Sequence, residues 1–158
     1  MGIFSGLFGE TVEKRLSRWR SELLEALPDL LPEGDAFWPN IDSEEVIIQH
    51  GSVHVVVGFA VDEEEGEGYV IIESPLVFLP KDNLLPFYRR LLDLNKAPLL
   101  LGSLSTEDNV VVLRRTVPIR GLDEEGFGLN VFNLCAEADD LDDLLIEEFG
   151  TRRFEVTK

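Results

Sequence analysis

The chain of 158 residues contains two histidines and one cysteine, side chains often used as bases, metal ligands or nucleophiles. His50 and His54 flank Gly51-Ser52, a pair that predicts a two-residue hairpin turn between strands. Such a turn places His50 opposite Val53 and His54 opposite Gln49, so the two imidazole rings should point to opposite faces of the sheet. We therefore predict no shared metal site and interpret both histidines as polar turn and strand positions.

Cys135 falls one position beyond the apolar row of a predicted helix. A reactive thiol needs a neighbour that stabilises the thiolate. Residues 121–150 instead contain ten acidic side chains and no Lys or Arg, which should raise the pKa of the thiol. We predict an inert cysteine in the core or at an interface, and a single cysteine excludes an internal disulfide and favours a reducing compartment.

Four aspartates cluster within residues 139–143 of the same predicted helix. A calcium loop needs alternating ligands, a central glycine and a terminal glutamate, and the cluster has none of these. The apolar row through Ala138, Leu141 and Leu145 should leave the aspartates mainly on the solvated outer face. Residues 62–68, with five acids and two glycines, are interpreted as a solvated hairpin loop.

The motifs of common enzyme classes are missing from the sequence. There is no Gly-rich phosphate loop, Gly-x-Ser-x-Gly elbow or His-Glu-x-x-His pattern. We predict a protein that is not an enzyme and binds no cofactor and no metal. An enzyme is the alternative only if folding brings distant residues together in one concave site.

The charge of the chain excludes one class of partner. Fourteen Lys and Arg against 31 Asp and Glu give a net charge of −17, which argues against nucleic acid as a partner. An apolar content of 44% argues against disorder. The length favours a single domain over residues 1–158, with 1–9 as a lead-in and 151–158 as a tail. The sequence matches neither a signal peptide nor a membrane-spanning segment, and we predict a cytoplasmic protein.

Apolar periodicity predicts the elements that position these residues. The predicted helices cover residues 10–27, 84–95 and 123–149, and the strands cover 46–48, 53–59, 69–79, 100–105 and 110–117. Asn83 or Asp82 should cap the second helix, whose apolar face is predicted to be Leu84, Tyr88, Leu91 and Leu92. The order α-β-β-β-α-β-β-α predicts a two-layer α+β domain with an antiparallel five-stranded sheet.

The first helix, which Pro28 should end, is nearly neutral overall but carries four basic residues within positions 14–20 of the acidic chain. One interpretation is internal: its apolar face packs on the sheet or a second subunit, and its basic side compensates the acidic third helix. Alternatively, residues 3–27 form one amphipathic helix that contacts a membrane surface or a partner protein. The candidate partner-binding residues are Phe4, Leu7, Phe8, Arg15, Arg18 and Trp19.

The element order and three segments resemble the YbjN-like bacterial family, which has the type III secretion chaperone-like fold. The segments are 84–95 (LLPFYRRLLDLN), 138–145 (ADDLDDLL) and Phe149-Gly150. The resemblance covers about residues 46–150. It implies a non-enzymatic, acidic and often dimeric domain that holds or regulates protein partners.

We therefore expect a protein-binding or chaperone-like regulatory module of a bacterial cytoplasm that forms a homodimer. The partner's identity does not follow from the resemblance. A peripheral membrane adaptor that uses the first helix is the alternative.

Overall fold

The computed structural model describes residues 11–39, 44–97 and 102–156. Its elements in chain order are α1 (Val12–Leu30), β1 (Ala36–Pro39), β2 (Val46–His50), β3 (Val53–Asp62), β4 (Glu67–Phe78), α2 (Leu84–Asn95), β5 (Ser103–Glu107), β6 (Val110–Pro118) and α3 (Glu124–Phe149). The strands form one antiparallel sheet in the order β1-β2-β3-β4-β6-β5. The predicted α+β class is confirmed, but the predicted count of five strands is wrong because the described sheet has six.

The additional strand is β1, which lies between the first predicted helix and the first predicted strand. It is four residues long and pairs with β2 in a register that places Trp38 opposite Ile47. Its signal is weak because the segment follows Gly34 and ends in Pro39, and proline is confined to the edges and ends of sheets. The pairing with β2, rather than local preference, makes this segment a strand.

Turns connect β2 to β3, β3 to β4 and β5 to β6. His50 pairs with Val53 and Gln49 with His54, which confirms the register inferred from Gly51-Ser52. The β3–β4 turn lies within the acidic loop at residues 63–66. Between β5 and β6, Asp108-Asn109 adopts positive φ angles of 47° and 65°, the conformation that a tight hairpin turn requires.

One face of the sheet, called the inner face, packs against α1 and α3. Alternate residues of the central strands point to it and are completely buried, among them Ile48, Val55, Val57, Ile72 and Leu113. The same core contains Leu23 and Leu27 of α1, so the predicted apolar face of this helix packs on the sheet and on α3. The opposite side of the sheet is called the outer face.

Helix α1 differs from its prediction at both ends. Thr11 is extended, and its hydroxyl accepts a hydrogen bond from the Lys14 N–H, so the helix begins at Val12 and does not continue through Thr11. Pro28 lies inside the helix and does not end it. Proline removes the hydrogen bond from position 28 to the Leu24 carbonyl, but the Leu31 N–H still donates to the Leu27 carbonyl at 3.1 Å, and the helix continues to Leu30.

Helix α3 agrees closely with its prediction. Asp123 caps its N-terminus through a hydrogen bond from the Gly126 N–H, and Gly150 ends it with a φ of 61°. The predicted apolar row is buried from Phe127 to Leu145. Although α3 has 26 residues, none of the helices in the described ranges is both long and apolar enough to span a membrane.

The C-terminal tail extends the sheet beside β4. The register of β4 against β6 shifts between Pro75 and Val77. Beyond it, the Phe78 N–H donates to the Arg152 carbonyl at 2.8 Å and the Phe154 N–H donates to the Leu76 carbonyl at 2.9 Å. Residues 152–154 therefore occupy the edge of β4 that β3 does not reach.

Candidate functional site

The chemistry-bearing residues meet at the turn between β2 and β3. Nδ1 of His50 lies 2.8 Å from Oδ2 of Asp35, which follows α1 and is almost buried. The ring of Phe132, on α3, meets the His50 ring edge to face at a centroid distance of 6.4 Å. The imidazole thus joins the loop after α1 to the β2–β3 turn and to α3.

The adjacent Ser52 binds the aspartate cluster of α3. Its backbone N–H and its hydroxyl donate to Oδ1 of Asp139 at 2.9 and 2.8 Å. The backbone hydrogen bond is the main cause that lowers the pKa of Asp139, against an opposing effect of burial. At Gly51, a Cβ atom would lie 2.6 Å from Oδ1 of Asp139, so only glycine fits this close approach.

Asp142 is the buried centre of this polar junction, which comprises Asp35, His50, Ser52, Asp139, Asp142 and Arg153. Its side chain has no exposed surface, and its Oδ2 accepts a hydrogen bond from Nε of Arg153 at 2.6 Å. Burial raises its pKa despite the opposing effect of this hydrogen bond. Its Oδ1 has no hydrogen-bond partner among the described residues. The prediction that the aspartates lie mainly on the solvated side of α3 is wrong for Asp142. This side chain is buried, and Arg153 of the C-terminal tail pairs with it.

The polar junction has the residue types of a nucleophilic site but a different arrangement. A serine nucleophile requires a hydrogen bond from its hydroxyl to a base that can accept the proton. The hydroxyl of Ser52 contacts the carboxylates of Asp139 and Asp142, while His50 Nδ1 contacts Asp35. The junction therefore ties the loop after α1, the β2–β3 turn and the tail to α3.

Cys135 lies in the core of the same helix. It is completely buried, and burial, together with the nearby charge of Asp35, raises its pKa to about 12. The prediction of a buried cysteine with a raised pKa is confirmed, but the causes are burial and Asp35 rather than the acidic side chains of residues 121–150.

Helix α2 places most of its apolar side chains in solvent. Phe87 and Leu91 are buried, and the Phe87 ring meets Phe149 of α3 edge to face. The remaining large apolar side chains form an exposed stripe, which we call the α2 stripe: Leu84, Leu85, Tyr88 and Leu92. Leu85 is 80% exposed and Leu92 is 65% exposed, and of the predicted apolar face, Leu84, Tyr88, Leu91 and Leu92, only Leu91 is buried.

The end of α2 closes one edge of the sheet. Nδ2 of Asn95 donates to the Leu104 carbonyl at 3.1 Å, and Oδ1 accepts from the Leu104 N–H at 2.7 Å. The side-chain amide thereby takes the place of a neighbouring strand at the second residue of β5. At the other end of α2, Asn83 is the N-cap but makes no side-chain capping hydrogen bond, contrary to the prediction.

The outer face of the sheet carries a second apolar surface. The strand register places Trp38, Ile47 and Val56 in one row across β1, β2 and β3. Ile71 of β4 is diagonal to Val56, since Ile71 pairs with Gly58 and Val56 pairs with Glu73. We call these four side chains the outer band, and all four are partly exposed.

Two open grooves lie beside these surfaces. A groove of about 480 Å³ passes over Val56 and Ile71 and is walled by Leu16 of α1 and by the charged side chains Arg20, Glu44, Glu45, Glu73 and Arg114. Another, of about 710 Å³, separates the start of α2 from the tail, and its charged side chains are all exposed: Lys81, Asp82 and Arg152. Neither groove brings the polar junction into contact with a cavity.

The candidate partner-binding residues on α1 are partly placed by the structure. Trp19 is partly buried and packs against the core, whereas Arg15 and Arg18 are exposed. Arg18 pairs with Glu22 of the same helix, and Arg20 pairs with Glu44 ahead of β2. Phe4, Leu7 and Phe8 lie outside the described residues.

Comparison of the sequence with protein-family models gives no match, and neither does comparison with curated proteins.

Proposed function

We propose that the chain is a non-enzymatic, chaperone-like protein-binding module of the bacterial cytoplasm that self-associates through the α2 stripe. The observation that carries this proposal is the exposure of four large apolar side chains on one short helix. Contiguous exposed apolar surface is typical of protein interfaces. The resemblance of residues 84–95 to the YbjN-like family, which is often dimeric, supports the same conclusion.

The charge around α2 favours a second copy of the chain as its partner. Residues 81–96 contain four basic and two acidic side chains, a net charge of +2 in a chain of −17, and one of the four, Arg90, pairs with Glu148 of α3. Two acidic copies repel each other least where each is locally basic. In an antiparallel pair about a two-fold axis, Leu85 of one copy faces Leu92 of the other, so the stripe is complementary to itself.

Sedimentation equilibrium of the full chain tests this proposal. We expect a dimer at about 10–100 μM, within the usual range of protein association. The double variant Leu85→Glu/Leu92→Glu should be monomeric, because each substitution places a charge in the interface. Leu129→Glu, which changes an exposed leucine of α3, is the matched control and should remain dimeric. A wild-type monomer throughout this range, or a dimeric double variant, would contradict the proposal.

A peripheral membrane adaptor is the second proposal, and the exposed Lys14, Arg15 and Arg18 on the first turns of α1 favour it. Basic and apolar side chains on one helix are typical of binding to anionic membrane surfaces. Flotation with anionic liposomes should then recover the full chain but not a chain without residues 1–10. Equal recovery of the two forms would remove this alternative.

A further inference from the structure

The C-terminal tail pairs with β4 in the manner of an added strand. Two backbone hydrogen bonds flank the antiparallel pair formed by Val77 and Arg153. The Arg153 side chain reaches the aspartates of α3, whereas Arg152 and Phe154 contact the ring of Phe78. Proteins that bind extended peptides at a sheet edge use the same combination, in which the backbone pairs and alternate side chains enter separate contacts.

Arg153 determines the chemistry of this contact. Its Nε donates to Oδ2 of Asp142 at 2.6 Å, and its Nη2 donates to Oδ1 of Asp143. One guanidinium thus bridges two carboxylates, and a lysine ammonium does not reproduce this planar, forked geometry. We call residues 76–78 of β4, together with Asp142 and Asp143, the tail slot. The observed occupant shows that this slot accepts an extended segment that carries arginine.

The tail covers its slot without contributing to the core. None of the described tail residues 151–156 is among the core side chains, and Arg152 and Glu155 are exposed. Gly150 joins the tail to α3 at a φ of 61°, and no atom beyond its neighbours lies within 4 Å of the position that a Cβ would take. Rotation at this glycine therefore releases the tail while the core stays packed, as expected of a segment of low local stability.

One end of the slot has room for a longer segment than the tail. The groove of about 710 Å³ lies beside Phe78 and Thr151 and extends to residues 79–83 at the start of α2. The tail does not continue through this groove, because residue 150 joins it to α3. A segment of another protein lacks this constraint and continues past the position of Thr151 into the groove.

We propose that the tail slot binds an extended, arginine-bearing segment of another protein and that the tail is an intramolecular competitor for the slot. The proposal rests on the protein-binding function proposed above and adds a partner site to the α2 stripe. The apparent affinity for the partner is reduced by the fraction of molecules whose slot is closed. The net charge of −17 attracts any basic segment, but the two carboxylates of the slot give the preference for arginine.

The probe is a fluorescein-labelled peptide with the sequence of residues 150–156, GTRRFEV. Its binding to the full chain is measured by fluorescence anisotropy at about 0.15 M NaCl. Arg153→Ala/Phe154→Ala keeps the slot and weakens the hold of the tail on it. We expect this double variant to bind the peptide at least about tenfold more tightly than wild type, because its own tail competes less. Glu155→Ala, which changes an exposed residue of the tail, is the matched control and should bind like wild type.

A second peptide separates recognition of arginine from general attraction to an acidic protein. It carries lysine at the position of Arg153 and therefore keeps the charge of the first peptide. We expect the double variant to bind it at least about fivefold more weakly, because lysine does not bridge Asp142 and Asp143. Equal affinity for the two peptides would overturn the proposal. The same conclusion follows if wild type and the double variant bind the first peptide equally, or if the double variant does not bind it up to about 1 mM.

Sedimentation of the same samples distinguishes this proposal from the α2 interface. A monomeric wild type would refute the α2 interface, while tighter peptide binding by the double variant would still support the tail slot. If wild type is dimeric and the double variant is monomeric, the slot is filled by the tail of a second copy and the inference is wrong. Phe154→Ser replaces the double variant if circular dichroism shows that the latter is unfolded, because it leaves the pair of Arg153 and Asp142 in place.

Discussion

Helices α2 and α3 both carry apolar residues at helical spacing, but they differ in how many the domain buries. The row of α3 is buried from Phe127 to Leu145, where it forms the centre of the core. Helix α2 buries Phe87 and Leu91 and leaves the α2 stripe in solvent. Helical periodicity therefore predicts which side chains share a face, but the number of contacting elements determines whether that face is covered.

The largest expected change in the free energy of unfolding is for a substitution in the buried apolar row of α3. Phe127→Ala should lower the free energy of unfolding by about 3–5 kcal/mol, because it opens a cavity at a fully buried ring. Leu92→Ala, on the exposed stripe, should change it by no more than about 0.5 kcal/mol. Urea denaturation measures both values under conditions where the proteins are monomeric. Similar losses in the two variants would show that α2 is buried as deeply as α3.

A smaller loss is expected at the end of α3 that binds the tail. Arg153→Ala removes the cation beside the buried Asp142 and should cost about 2–3 kcal/mol, less than for a fully buried pair because Arg153 is one-third exposed. Adding Asp142→Asn should recover part of this loss, since a neutral side chain is easier to bury. Urea denaturation of the three proteins checks the order, and no recovery would mean that the charge of Asp142 is not the cause.

The smallest effect concerns pH at Asp139. Its pKa is lower in the folded chain than the value of about 3.9 in an unfolded chain, so below pH 5 the unfolded state binds more protons. The stability that its carboxylate contributes is present above about pH 4 and is lost as the pH falls through the folded pKa. Asp142 titrates in the opposite sense, because its pKa is raised.

Comparison of wild type with Asp139→Asn isolates the first of these two groups. The stability advantage of wild type, on the order of 1 kcal/mol at pH 6, should shrink toward pH 3. Thermal unfolding followed by circular dichroism measures it, with Asp140→Asn on the exposed side of α3 as the control. A constant advantage across this range would show that the carboxylate of Asp139 is not the titrating group.

Local signals in the sequence account for most of the fold. Gly51-Ser52 determined the β2–β3 register, and Asp123 and Gly150 marked the ends of α3 within one residue. The features that the sequence did not predict depend on contacts between segments that are far apart in the chain. Strand β1 forms because β2 pairs with it, and Asp142 is buried because Ser52, 90 positions earlier, and Arg153 reach it.

The candidate surfaces were less predictable than the fold. The α2 stripe is exposed because few elements pack around that helix. The apolar periodicity of the sequence does not show how many elements will pack there. The outer band had a signal in the unbroken apolar runs of β3 and β4, because alternation would have left that face polar. Its exact composition depends on the register of four strands and on β1, which the sequence did not indicate.

The two Asn95 hydrogen bonds to Leu104 affect how the protein behaves when concentrated. An open edge strand is a template on which further chains add by backbone pairing, the route to fibrous aggregates. Asn95 occupies this edge near the start of β5, while the opposite edge, β1, is only four residues long and ends in a proline. With both edges of the described sheet partly covered or short, little open backbone is left on which the strand of another chain could pair.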